Sequence, residues 1–274
     1  MANNYWYERM QRMHKAISDK TIDDIEKRLS KYYSRAMLRI IKDFEATYDK
    51  IIAAQEEGKP ITPADLYKLD RYWQMQGQLK NELDELGNKE IVLLSKHFER
   101  QWQNIYDTTA VPANAVFTHI STDAAKSMIN QIWLADGKNF SSRIWKNINK
   151  LTETLNEELV NCVVTGKKTT ELKSQLINRF NVSYNQADTL VRTEVANIQV
   201  QASAQKSKDA GLDEYIFFAD PDERTCPVCG KLHNKKFKYS EMKAGINAPP
   251  MHPRCRCDIL SVVDDDEIMD DKEV

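Results

Sequence analysis

The chain has 274 residues, 41% of them hydrophobic, which is enough to bury a core in one large or two modest domains. Its eight Gly and eight Pro leave it poor in turns, which favours long helices over a sandwich or barrel. No apolar run is long enough to span a bilayer, and residues 1–6 lack a basic stretch followed by an apolar one, so neither a membrane span nor a secretory signal is expected.

The formal charge of -2 conceals an asymmetry. Residues 264–274 hold seven acids against Lys272 alone. Taking that lysine from the 39 basic residues and those acids from the 41 acidic ones leaves 38 and 34, a mildly basic body that permits an acidic partner.

From Tyr5 to about Glu57 there is no Pro or Gly, and apolar residues recur at three and four: Trp6, Met10, Met13, Ile17, Ile25, Leu29, Tyr32 or Tyr33, Ala36, Ile40, Phe44, Tyr48 and Ile51. This spacing predicts one very long amphipathic helix, or two with a break at Asp19-Lys20-Thr21, ended by Gly58-Lys59-Pro60. Thr62-Pro63-Ala64-Asp65 reads as a helix start, and the helix it opens is expected to stop at Gly87. A further helix through Ile91, Phe98 and Trp102 runs to Val111-Pro112. Ser121 or Thr122 then caps a short helix holding Met128, Ile129 and Trp133, closed by Asp136-Gly137.

Asn139-Phe140-Ser141 opens the next helix, which ends near Gly166, and Thr170 begins a short one reaching Phe180. Ser183-Tyr184-Asn185-Gln186 has the form of a capping box and should launch a helix to Gly211. Beyond Gly211, residues 215–218, 235–239 and 259–263 have the length and composition of strands, and Asp220-Pro221-Asp222-Glu223 that of a turn. The expected fold is therefore mainly α: long amphipathic helices followed by a small α+β module stapled by zinc. The expected divisions are 1–111, an N-terminal helical region; 112–211, a central helical part; 212–263, the zinc module; and 264–274, an acidic disordered tail.

Four of the five cysteines lie in two clusters. Cys226-Pro227-Val228-Cys229-Gly230 has the form of a zinc knuckle, a tight turn that converges two sulfurs. With 22 residues between Cys229 and His252, the second cluster is His252-Pro253-Arg254-Cys255-Arg256-Cys257. The candidate ligands are Cys226, Cys229, His252 and Cys255, with Cys257 able to replace Cys255 or His252; His233 is a weaker substitute. Three thiolates with one imidazole, or four thiolates, both suit Zn2+. So many donors point to a closed structural site rather than an open catalytic one, and a module of about fifty residues needs such a staple. The confinement of the cysteines to this region fits synthesis in a reducing cytosol.

Other chemistry is sparse. Arg192 and Glu194 fall on different faces of a helix and are expected to pair with the module, Glu194 with Arg224 and Arg192 with Asp220 or Asp222. Phosphate loops, nucleophile elbows, His-Glu-x-x-His and dinucleotide fingerprints are missing, so no catalytic residue and no enzymatic activity is expected. His14, His97 and His119 read as packed or surface residues, Cys162 as core, and Trp73, Trp102, Trp133 and Trp145 as core or interface. Lys231, Lys235, Lys236, Lys238, Lys243, Arg254 and Arg256 form a basic patch around the module, which keeps a zinc-dependent DNA-binding protein or nuclease as the alternative.

Arg192-Thr193-Glu194, the helix to Gly211, an aromatic strand, residues 222–229 ending in Cys-Pro-Val-Cys, and His252-Pro253-Arg254-Cys255-Arg256-Cys257 together resemble the Mu F-like minor head proteins of tailed bacteriophages. Ser142-Arg143-Ile144-Trp145-Lys146-Asn147 is similar too, so the resemblance covers roughly residues 120 to 260. It implies a non-enzymatic virion component, made in the host bacterial cytoplasm and located inside the phage head at the portal vertex. It further implies a role in head morphogenesis and in genome packaging or ejection. The partners it implies are the portal protein and, beyond it, double-stranded phage DNA and scaffold or capsid protein.

Overall fold

A computed structural model describes residues 4–53, 62–112, 121–134, 136–219 and 222–262. Among these, seven α-helices precede or punctuate a three-stranded sheet: α1 (Asn4–Ala53), α2 (Pro63–Leu66), α3 (Asp70–Thr108), α4 (Thr122–Ile129), α5 (Phe140–Thr165), α6 (Thr169–Asp209), β1 (Glu214–Phe218), α7 (Pro227–Leu232), β2 (Lys236–Lys238) and β3 (Asp258–Ser261). No helix among the described residues is long and apolar enough to cross a membrane. The expected mainly helical chain with a small C-terminal sheet is what forms. The Gly58 stop, the Asp220-Pro221 turn, His119, Val263 and the acidic tail lie outside the described residues, as does the side chain of Trp6.

The first helix is continuous through Asp19-Lys20-Thr21. Its buried positions advance by four, with a three at Ser18 to Thr21, Tyr33 to Ala36 and Tyr48 to Ile51. That mean step exceeds the 3.5 of a heptad, so the stripe makes no left-handed coiled-coil seam. At its N-terminal end the buried side chains are Met10, His14, Ser18 and Thr21, while Met13 and Ile17 are only half-buried. The polar side takes the inner position because its groups find buried partners, described below.

Two expected helix ends are absent. Thr62 does cap α2 with a capping box closed by Asp65, but α2 is one turn long, and α3 then runs unbroken through Gly77 and Gly87. A helical glycine costs only about 1 kcal/mol. At Gly87 it also makes room, since a Cβ there would lie 3.0 Å from the Trp145 ring. Ser183 likewise starts no helix, because α6 passes straight through it. Phe180, Ser183 and Ala187 are buried together at helical spacing, and a packed face outweighs a capping preference worth about 1 kcal/mol. A smaller shift affects α4, which Ser121 caps by accepting from the Ala124 N–H (3.2 Å) but which ends at Ile129, short of Trp133.

The chain divides into two compact units. One comprises residues 26–93 and 141–188. Tyr33 packs edge-on against Tyr184 and donates to buried Glu90 (3.2 Å), and Tyr72 donates to Asn156 (2.8 Å). Cys162 is fully buried, as expected, and Trp73 is exposed, with its Nε1 donating to the Tyr67 carbonyl (2.8 Å).

The other unit comprises residues 1–25, 94–140 and 189–274, and its described part contains the sheet. β1 is central, antiparallel to β2 through Tyr215↔Phe237 and to β3 through Phe217↔Ile259. The alternation of β1 buries Tyr215 and Phe217 on one face. Tyr215 joins Tyr239, Ala248, Ile259 and, from α6, Val200 and Ala204. Phe217 instead joins Ala219, Cys229, Cys255 and Cys257. One end of this small core is hydrocarbon and the other is largely sulfur.

Candidate metal centre

Cys226 and Cys229 are presented by a helix rather than by a tight turn. Cys226 is the N-cap of α7, its Sγ accepting from the Cys229 N–H at 3.4 Å, and Pro227 stands at the first helical position, where its fixed φ and missing N–H cost nothing. A spacing of three residues on a helix puts both sulfurs on one side.

The second pair comes from a turn. The Cys255 N–H donates to the His252 carbonyl (3.1 Å), which draws His252 and Cys255 together. Arg254, inside that turn, has φ +59°, a left-handed conformation usually left to Gly or Asn. Helix α6 supports it: the Arg254 N–H donates to Thr193 Oγ1 (3.0 Å) and its Nε to Thr189 Oγ1 (3.0 Å). Thr193 Oγ1 spends its own proton on the Thr189 carbonyl (2.7 Å), so it faces Arg254 as an acceptor.

The donor atoms converge on Cys229. Cys226, Cys229 and His252 form one triad and Cys229, Cys255 and Cys257 another, each with its donor atoms within 4.8 Å of one another. Cys229 Sγ stands 3.6 Å from His252 Nε2 and 4.0 Å from Cys255 Sγ. Ligands about 2.3 Å from a tetrahedral ion lie about 3.8 Å apart, close to these two separations from Cys229. His252 Nδ1–H donates to the Pro253 carbonyl (2.9 Å), which leaves the Nε2 lone pair directed at the sulfurs. His233 is committed elsewhere, its Nδ1 accepting from the Ala219 N–H (3.1 Å) and its ring edge-on to Phe218.

Electrostatics describe a cluster short of positive charge. The Cys229 N–H pulls the Cys226 thiol below its usual range, and a hydrogen bond from Cys257 brings Cys255 down to about 5. Burial pushes Cys229 up to about 12, and Cys257 is also raised because it keeps the proton it shares with Cys255. The bond to Pro253 raises His252. Several thiolates cannot coexist in this apolar pocket unaided, and a divalent cation is the counter-charge that would let them form.

Around the cluster, Arg256 makes a bidentate pair with Asp222 (2.5 and 2.6 Å), and this pair holds the Asp222 carboxyl well below the usual carboxylate range. Arg224 turns to Asp222 as well, through its backbone N–H (2.9 Å) and guanidinium (3.4 Å). The expected pairing of Glu194 with Arg224 is replaced, since Glu194 accepts from Trp133 Nε1 (2.9 Å).

One support has no sequence signal. His14 is fully buried, with Nδ1 3.1 Å from Asp258 Oδ2 and Nε2 3.2 Å from Thr109 Oγ1. Ser18 donates to Gln199 (2.5 Å), while Gln101 donates to Ser18 and to the Val195 carbonyl (both 3.0 Å). These bonds join α1, α3 and α6 to the strand that follows Cys257.

Residues 153–260 match the family model described as Phage Mu protein F like protein. The chain carries a Mu F-like segment. It begins within α5, contains all of α6 and ends in β3, so all five candidate ligands and the two threonines that hold their loop fall inside the Mu F-like span. No curated protein and no solved structure matches the chain.

Proposed function

We propose that this protein is a minor structural component of a tailed-phage head, with a C-terminal module closed by a structural zinc ion on Cys226, Cys229, His252 and Cys255. The observation that supports this most is the coincidence of the Mu F-like span 153–260 with the whole donor cluster and its docking helix. Three thiolates and one imidazole complete a tetrahedral shell, and Cys257 remains as a buried neighbour of Cys255. The ion would supply a cross-link between α7 and the 252–257 turn, together with the charge the thiolates lack.

In this reading the protein acts inside the head at the portal vertex, in head morphogenesis and genome packaging or ejection. The portal protein is its principal partner, with phage DNA and scaffold or capsid protein as further contacts. Co-assembly with portal protein tests the assembly role, and particles of unchanged composition and infectivity made without this protein would rule it out. Metal analysis tests the zinc: one ion per chain is expected, and an unchanged melting curve after chelation would refute it. The exposed Lys231, Lys235, Lys236 and Lys238 favour direct DNA contact as a second reading. A salt-sensitive shift of duplex DNA is expected there, and its absence at low salt removes that reading.

A further inference from the structure

The outward face of α1 carries charge of one sign over about four turns. Between residues 27 and 42 its exposed positions are Lys27, Arg28, Lys31, Arg35, Arg39 and Lys42, with two serines and Leu38 among them and no acid. Other exposed helical charges stand in opposite pairs four apart, as do Lys15 with Asp19, Lys80 with Asp84 and Glu85 with Lys89. Arg39 turns to Glu82 of α3 (3.2 Å), whereas Lys27, Arg28, Lys31, Arg35 and Lys42 make no ion pair among the described residues.

The helix itself has no use for such a run. Lys27, Lys31 and Arg35 follow one another at four residues, and like charges at that spacing destabilise a helix. Packing of this stretch is supplied by the opposite face, where Leu29, Tyr33, Ala36 and Ile40 are buried. The five cations therefore suit a ligand outside the chain, and the rest of the face narrows its kind. Leu38 is the only exposed apolar side chain between 27 and 42, too little for the apolar centre of a protein interface or for insertion into a bilayer. No aromatic ring is exposed there for unpaired bases to stack on. The cations rise about 6 Å from Lys27 to Lys31 and again to Arg35, on a ridge about 22 Å long. A duplex backbone matches them, because it offers a phosphate about every 3.4 Å along each strand and accepts hydrogen bonds from Ser as well as from Lys and Arg.

We propose that the face of α1 from Lys27 to Lys42 is a sequence-independent binding site for the phosphate backbone of a nucleic-acid duplex. It lies outside the Mu F-like span and depends on neither the zinc nor the lysines of the C-terminal module.

Fluorescence anisotropy of a labelled duplex of about 30 base pairs, titrated with the full chain between about 50 and about 200 mM salt, tests it. Lys31→Gln/Arg35→Gln is expected to weaken binding at least several-fold at the lower salt, by the same factor for duplexes of different sequence. It should also make the slope of log affinity against log salt shallower by about two, since each phosphate contact contributes about 0.9. The melting temperature should not fall, because both substitutions relieve like-charge repulsion. Lys27→Gln/Lys42→Gln, at the two ends of the face, should act in the same direction. Unchanged affinity and slope in these variants would overturn the proposal. Loss of binding in Lys235→Gln/Lys236→Gln alone would place the duplex on the module instead, and an absence of binding by the unsubstituted chain would overturn both DNA readings together. Phosphatidylserine vesicles or polyglutamate bound as tightly as the duplex, with the same sensitivity to the α1 variants, would make the face a general anion surface and overturn the assignment to nucleic acid.

Discussion

Replacing Glu90 by Gln should stabilise the protein at alkaline pH and do little at acid pH. Glu90 is buried in the unit containing residues 26–93, with Oε2 accepting from Tyr33 and Oε1 without a hydrogen-bond partner. Burial raises its carboxyl from 4.5 to about 7, the Tyr33 hydrogen bond opposing only in part. A carboxyl raised on folding favours the folded state while protonated. Its contribution is fully present below the unfolded value of 4.5 and is lost as pH rises through about 7. At about 1.4 kcal/mol per pH unit, ionised Glu90 in place costs about 3 kcal/mol relative to the protonated form. Gln keeps the shape and does not titrate. Urea unfolding at pH 5 and pH 8.5, for wild type and Glu90→Gln, isolates the effect as a double difference free of every other titrating group. The variant is expected to gain roughly 2–3 kcal/mol relative to wild type between those two pH values, since part of the loss has already occurred at pH 5. A double difference near zero would show that burial does not hold the carboxyl neutral and would refute the reasoning.

Within the donor cluster, Cys229→Ser should abolish metal retention, since both triads contain Cys229, whereas Cys257→Ser should retain one ion per chain by elemental analysis. Thr193→Val removes the acceptor of the Arg254 N–H, and should cost about 1 kcal/mol and weaken zinc affinity in a chelator competition. Gly87→Ala should destabilise rather than stabilise. The gain in helix propensity of about 1 kcal/mol is outweighed by overpacking against Trp145, worth about 1–3 kcal/mol, and a shift in tryptophan fluorescence should accompany it.

Sequence periodicity was a sound guide where one apolar face decides the structure, as along Ile25 to Ile51 of α1 or through α5. It misplaced boundaries at Gly87 and Ser183 because glycine and caps carry only about 1 kcal/mol, less than a packed face supplies. The clustering of the candidate ligands was legible because its signal is local: two residues separate Cys226 from Cys229, and two His252 from Cys255. What holds them is not local. Arg254 and Thr193 stand 61 positions apart, His14 and Asp258 244, and neither pair leaves a trace in spacing or composition. The inward turn of His14, Ser18 and Thr21 was hidden for the same reason, since a polar residue enters a core only where a partner waits.

The composition of the sheet's core determines how the module should respond to a chelator. Around Tyr215 the core is made of Tyr239, Ile259, Ala248, Val200 and Ala204, which stay packed whatever happens to the metal. Tyr239 and Ser207 also meet at Ser261 through buried hydroxyls, tying β3 to α6 at that end. Around Phe217 the corresponding places are taken by Cys229, Cys255 and Cys257, which pack as small apolar groups only while they are neutral or bound to a cation. Chelation should therefore loosen one end of the module and spare the other. Hydrogen exchange on the chelated full chain is expected to lose protection in α7 and residues 252–257 by at least tenfold, while β1 at Tyr215 and α6 at Val200 change little. Uniform loss across the sheet would mean that the ion supports the whole module as a single cooperative unit. Unchanged protection throughout would mean that the sulfur cluster packs unaided and that zinc has no structural part to play.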